Sequence, residues 1–249
     1  MRAFSLLLFS LLFLLNLPSQ AHAEAYWDHE DNDFFAELEA EYATSPGLYV
    51  ADPLESLNRG IFIVNDRLYF WVLKPVATGW RTVTPSPVRT GIRNAFHNLA
   101  APVRVVNQLL QGKGKAAAAE TGKFLVNSIW GIFGLIDASQ QIPSLQVPSE
   151  DLGQTLGKWG IGNGFYLVLP LLGPTTLRDG IGQAGDFFLQ PTTYADWDTR
   201  TRLGVKGGQT VNTTSFHIGD YETIKNASVD PYTAIRNGYI QMRMQAISQ

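Results

Sequence analysis

The chain has 249 residues, a formal net charge of −3, 45% hydrophobic but only 16% charged residues, and no cysteine. The missing thiol excludes disulfides, Cys-type zinc sites, iron–sulfur clusters, a cysteine nucleophile and any thiol-linked lipid within this sequence. The negative charge argues against a nucleic-acid binder, and a charged share well below the ~25% of ordinary soluble domains implies more apolar surface than a water-soluble body needs.

The first 23 residues read as a secretory signal. Arg2 supplies the positive end, residues 6–15 are almost purely apolar, and Ala21-His22-Ala23 is an Ala-x-Ala cleavage pattern. Cleavage after Ala23 is expected; an uncleaved anchor is the alternative, although the apolar run is shorter than the ~20 residues of a bilayer span. Residues 24–51 form an acidic arm: between positions 24 and 58 there are ten acidic residues and no basic one. Within it, Asp28-His29-Glu30-Asp31-Asn32-Asp33 lacks the glycine and distal glutamate of a calcium loop.

Residues 52–249 read as one mainly α-helical domain with few or no strands. Asp52-Pro53-Leu54-Glu55 predicts a capped helix start, with Leu57, Ile61, Val64, Leu68 and Trp71 on one face and a stop at Lys74-Pro75. Ser86-Pro87 opens a second helix carrying Val88, Ile92, Ala95, Phe96 and Leu99, and Ala101-Pro102 opens a third. An alanine-rich fourth follows Gly112-Lys113-Gly114. Residues 131–185 hold eleven glycines and four prolines yet stay apolar, which predicts irregular elements buried against helices. Thr176 should cap another helix with Asp179 in the box position, and Asp230-Pro231 should open a last one over 232–247.

Positions 67–119 contain eight basic residues and no acidic one. Two readings are open: a solvated face paired with the acidic arm, or a surface that meets anionic phosphate head groups. The six tryptophans, all after position 23, likewise suit either a core or a membrane interface.

Signatures of catalysis are lacking. Gly112-Lys113-Gly114-Lys115 has no following Ser or Thr for a phosphate loop, and Gly160-Ile161-Gly162-Asn163-Gly164 puts Phe165 where a dinucleotide fingerprint needs glycine. Histidines 29, 97 and 217 have no metal spacing, and no Gly-x-Ser-x-Gly elbow occurs. No cofactor and no enzymatic activity are expected.

Ten blocks in order carry a resemblance. They include Asp52-Pro53-Leu54-Glu55-Ser56-Leu57-Asn58-Arg59, Leu73-Lys74-Pro75, Pro87-Val88-Arg89, Asn98-Leu99-Ala100-Ala101-Pro102, Asn107-Gln108-Leu109-Leu110-Gln111-Gly112-Lys113, Phe124-Leu125-Val126-Asn127-Ser128, Asp151-Leu152-Gly153-Gln154 and Leu177-Arg178-Asp179. Together they resemble the MlaA/VacJ family over residues 52–239. The resemblance implies a helical ring around an amphipathic channel in the periplasmic leaflet of a Gram-negative outer membrane. It implies removal of misplaced phospholipids from the outer leaflet, a periplasmic carrier of the MlaC kind, and association with a trimeric porin. Candidate channel or head-group contacts are Asn58, Arg59, Asn65, Arg89, Asn98, Asn107, Lys113, Asn127 and Arg178; a mobile hairpin would span 139–150, where Pro143 and Pro148 bracket Leu145 and Val147. Two departures stand out: the lipobox cysteine is missing, and Tyr69 occupies the place of an aspartate of the first helix. An exposed apolar ring would then have to hold the protein at the membrane. The alternative function is a structural or adhesive envelope protein that binds porins without moving lipid.

Overall fold

The computed structural model describes residues 51–249; the expected signal and nearly all of the acidic arm lie outside the described residues. As expected, the fold is mainly helical, with one small two-stranded sheet among the described residues.

Helix α1 (Glu55–Leu68) does not end where its sequence predicts. A π-helical turn, Tyr69–Leu73, carries the chain straight into α2 (Lys74–Val83). The reason is Pro75. It has no N–H for the Trp71 carbonyl and its ring would crowd the preceding turn, so the ladder widens and Lys74 donates instead to the Tyr69 carbonyl. Asp52 does not cap α1 either; Leu54 occupies the N-cap, and the Asp52 carboxylate is used by Asn58, Tyr232 and Arg236.

Helices α3 (Ser86–Leu99), α4 (Ala101–Leu110) and α5 (Gly114–Ile129) begin where the Pro and Gly signals place them. After α5 the chain makes a tight turn with three successive left-handed residues, Ile132 (φ 53°), Phe133 (φ 56°) and Gly134 (φ 88°). Its side chains are not buried as the sequence suggests: Phe133 is 84% exposed, and Ile132, Leu135 and Ile136 are exposed as well.

Helix α6 (Leu152–Lys158) starts with a full capping box between Asp151 and Gln154. Strands β1 (Tyr166–Leu169) and β2 (Gly173–Thr176) pair antiparallel, with Tyr166 opposite Thr176 and Leu169 opposite Gly173. Thr176 caps α7 (Leu177–Leu189) as expected, by accepting from the Asp179 N–H. Helices α6 and α7 cross at glycine: a Cβ on Gly182 would lie 2.3 Å from the Gly153 nitrogen, so the two backbones touch. Helices α8 (Thr199–Thr214) and α9 (Asp220–Ala227) leave no clear trace in the sequence, because neither has a continuous apolar stripe. Helix α10 (Pro231–Ser248) closes the chain as predicted, capped by Asp230.

The apolar core is small. Tyr166 and Val168 of β1 meet Tyr232 and Ile240 of α10, with Ile61, Phe62 and Tyr239 packed around them. Tyr232 meets Tyr166 and Phe62 edge-on at 6.0 and 5.8 Å.

Candidate functional site

Burial in this protein is inverted. Among the described residues twenty-two polar or charged side chains are buried but only eight apolar ones, whereas large apolar side chains from Leu54 to Met244 are exposed. The stripe that predicts a core face on α1 is split: Leu57 and Val64 are exposed and Trp71 is 72% exposed, whereas Ile61 and Leu68 are half-buried and Ile61 packs against the core. The face beside it, on which Ile61 also lies, points in. Asn58 and Asn65, two turns apart, lie along β1 as if α1 were another strand. Asn58 donates to the Tyr166 carbonyl at 3.0 Å and accepts from the Val168 N–H at 2.9 Å; Asn65 donates to the Leu169 carbonyl at 2.9 Å and accepts from the Leu171 N–H at 2.8 Å. Each side-chain amide supplies the donor and acceptor of a missing peptide group, satisfying an otherwise bare sheet edge.

A second network ties the last helix to the middle of the chain. Arg243 of α10 bonds Asp151 at 2.7 and 2.9 Å and Asp179 at 3.0 and 3.1 Å, and Arg178 and Tyr239 also donate to Asp179. Burial opposes the charge of Arg243, but the two carboxylates hold its pKa above the ordinary value. Asn107, fully buried, donates to Asp186 at 2.8 Å, and the other Asp186 oxygen accepts from the Leu152 N–H at 2.9 Å. Burial pushes the Asp186 carboxyl up to about 7, with that N–H bond opposing and the Asp151 charge assisting. Asp179 therefore serves the arginines and not a capping box.

The remaining candidates also face inward or pair within the chain. Arg89 grips the C-terminal carbonyls of two helices, Thr84 at 3.2 Å and Ser215 at 3.2 Å. Asn98 donates to Ser128, and Asn127 donates to Asp137 while accepting from the Ser139 N–H. Arg59, half-buried, forks onto Asp230 at 2.7 and 3.1 Å and covers the Tyr232 ring at 4.3 Å; that hydrogen bond holds the Asp230 carboxyl well below the usual range. Lys113 pairs at 2.6 Å with the buried Glu150. The structure thus brings Asn58 and Asn65 together at β1, and Asn107, Lys113 and Arg178 around α6, but does not converge the nine on one open cavity.

The hairpin residues lie on the surface. Pro143 and Leu145 bound a 3-10 turn, Leu145 and Val147 are half-buried, and Pro143 and Pro148 are exposed. Gln108 holds the Pro148 carbonyl at 3.1 Å, Glu150 is pinned by Lys113 and Gln111, and Leu145 sits against Gly122.

The basic block divides in the fold. Lys74, Arg104 and Lys113 pair with Glu222, Glu120 and Glu150, all later in the chain, while Arg67 stacks over Trp71 at 5.6 Å. Tyr69, in the place of an expected aspartate, donates to the same Glu222 at 2.8 Å. Asp186, Glu120 and Arg243 carry no signal in the sequence, since nothing short-range marks partners 16 to 79 positions apart. Asp151-x-x-Gln154 is a readable capping-box signal.

Among the described residues no helix is long and apolar enough to cross a membrane, and no group of three His, Asp or Glu is placed to hold a metal. Two apolar depressions open on the outer surface: one of about 310 Å³ between α1 and Pro170, and one of about 430 Å³ between α3, α5 and the 131–136 turn.

The profile of the MlaA lipoprotein family matches residues 50–246. The intermembrane phospholipid transport system lipoprotein MlaA of Escherichia coli (strain K12) is 34% identical over 195 residues, covering 77% of this chain and 76% of that one. Its counterpart in Haemophilus influenzae is 32% identical over 197 residues, covering 76% of each. A chain solved for the "Structural basis for maintenance of bacterial outer membrane lipid asymmetry" superposes with a TM-score of 0.69 at 33% identity, covering 79% of this chain and 99% of the other. Sequence blocks, helical fold and these matches agree: the chain belongs to the MlaA lipoprotein family.

Proposed function

We propose that this protein is a component of intermembrane phospholipid transport in the bacterial envelope, taking mislocalised phospholipid from the outer leaflet of the outer membrane and so maintaining lipid asymmetry. The relatives named for phospholipid transport and the solved structure concerned with outer-membrane lipid asymmetry support this reading. One observation in the fold carries it: polar side chains fill the interior and apolar ones the exterior. In water such a surface would cost roughly 25 cal/mol for each Å² of apolar area, so hydrocarbon is the solvent it suits. With no spanning helix among the described residues, the protein would lie within one leaflet, and we place it at the periplasmic face.

The finer parts of the reading follow from the same physics. A ring of helices with a polar inner wall lowers the cost of moving a charged head group past hydrocarbon, and no covalent chemistry is required. Direction is set by the acceptor, an MlaC-like periplasmic carrier, and a trimeric porin is the partner that positions the ring. The exposed apolar belt replaces an acylated cysteine as the anchor. The test is deletion of the gene, followed by chemical labelling of outer-leaflet phospholipid in intact cells. A rise that is reversed by the wild-type gene supports transport; unchanged asymmetry overturns it and leaves the structural or adhesive reading.

A further inference from the structure

The larger depression is open to the surface and lined almost wholly by apolar side chains. Ile92, Ala95, Phe96 and Leu99 of α3, Phe124 of α5 and Phe133 line a space of about 430 Å³. That is about three times the ~150 Å³ that admits benzene to an apolar cavity, and within the ~300–1,000 Å³ of small-molecule sites. Its two polar side chains satisfy each other, Asn98 donating to the Ser128 hydroxyl at 2.9 Å, so the space offers no unmet hydrogen bond and favours hydrocarbon.

The wall opposite α3 is strained backbone. Left-handed Ile132 and Phe133 each cost about 1–3 kcal/mol, and the turn is held by Phe133 N–H to Ser128 carbonyl at 3.1 Å and Gly134 N–H to Asn127 carbonyl at 2.8 Å. Gly134 lies so close to Asn98 that a Cβ there would fall 2.5 Å from the Asn98 Cβ. The turn is therefore already seated against α3 at this point and cannot move further in to fill the space.

Charge indicates what the hydrocarbon is attached to. Arg93 directly follows Ile92 and precedes Phe96 by one turn. It stacks on Phe216 at 4.6 Å and, among the described residues, has no carboxylate within ion-pair distance. Arg89 lies at 4.6 Å from the same ring but is taken up by helix carbonyls. A half-buried guanidinium with no carboxylate partner among the described residues, carried by the helix that lines an apolar cleft, matches a molecule with a tail and a phosphate. We propose that this cleft binds one acyl chain of a phospholipid whose phosphate meets Arg93, as a lateral site on the outside of the ring. The proposal rests on the phospholipid reading above and adds a place and two recognition elements to it.

The experiment uses the full chain in phosphatidylcholine vesicles containing a trace of phosphatidylglycerol with a diazirine on one acyl chain, or diacylglycerol bearing the same chain. After illumination, adducts are mapped by mass spectrometry. Adducts from phosphatidylglycerol should concentrate on residues 92–99 and 124–135. Ala95→Trp should cut them about fivefold while leaving adducts elsewhere on the apolar belt unchanged. Arg93→Gln should reduce phosphatidylglycerol labelling of the cleft to the diacylglycerol level. Phe133→Ala, at an exposed wall position, gives the same readout should the tryptophan variant fail to fold. Adducts spread evenly along the belt, or cleft adducts indifferent to these substitutions, overturn the proposal while the phospholipid reading stands. Absence of adducts anywhere overturns that reading too.

Discussion

Arg243 and Asp179 are joined by two parallel hydrogen bonds, Nε to Oδ2 at 3.1 Å and Nη2 to Oδ1 at 3.0 Å, across 64 positions of sequence. Asp151 completes the site, and both ends are buried. Arg243→Ala takes the shared guanidinium from Asp151 and leaves Asp179 with Arg178 as its cation, and should destabilise by about 3–5 kcal/mol. Arg243→Lys should recover only part, because an ammonium lacks the planar fork. Denaturant unfolding followed by circular dichroism measures both.

Asn58→Ala removes the amide that stands in for a peptide group along β1. The Tyr166 carbonyl and Val168 N–H then lose their partners in a dry interior, a cost of about 2–4 kcal/mol. Asn58→Asp keeps the acceptor for Val168 but sets a carboxylate against the Tyr166 carbonyl, so it should be no better. Thermal unfolding of the two variants checks this ordering.

Asp186 makes stability depend on pH. Its carboxyl titrates at about 7 in the fold and near ~3.9 when unfolded, so between these values the native state holds more protons. Stability from this group is therefore fully present below pH ~4 and is lost as pH rises through about 7, a change on the order of 4 kcal/mol. Comparing unfolding midpoints at acidic and neutral pH should show a decline in the wild type that is shallower in Asp186→Asn. An equal slope in both would assign the decline to other groups.

Trp71 and Phe133 test the membrane-facing surface. Neither contributes to the interior, being 72% and 84% exposed, so Trp71→Glu and Phe133→Asp should leave helicity intact. Each exchanges an apolar contact of about 1.5–3 kcal/mol for a charge in hydrocarbon, so vesicle binding should fall at least about tenfold in co-flotation. Unaltered binding of both would show that these positions do not meet lipid.

Lys113→Ala would leave Glu150 buried without its cation and loosen the attachment of the 139–150 segment. Amide exchange across that segment should accelerate about tenfold or more, while α3 stays protected. Gly122→Val should act in the same direction from the other side, since a Cβ there already meets Leu145 Cδ2 at 3.0 Å.

Much of this protein is legible in its amino-acid order. Proline and glycine punctuation locates the starts of α3, α4, α5 and α10, since those residues act through their own backbone geometry. Ten ordered blocks mark the family. The apolar stripe of α1 is also correctly located by its period. What periodicity leaves open is the solvent that a stripe meets: Leu57, Val64 and Trp71 have the spacing of a core and lie outside it. The same blindness affects Asn58 and Asn65, since nothing in their spacing shows that their amides stand in for peptide groups along β1.

A helical, thiol-free chain with surplus apolar surface and a family pattern follows from residue order alone, because composition, caps and motifs are local properties. Which side of each helix faces in is settled only when the helices pack. Packing also joins Arg243 to Asp179 and leaves Arg93, on the helix that lines the apolar cleft, stacked on Phe216 without a carboxylate among the described residues. These outcomes depend on partners tens to more than a hundred residues away, whose meeting is set by the packing of whole helices and not by any local propensity.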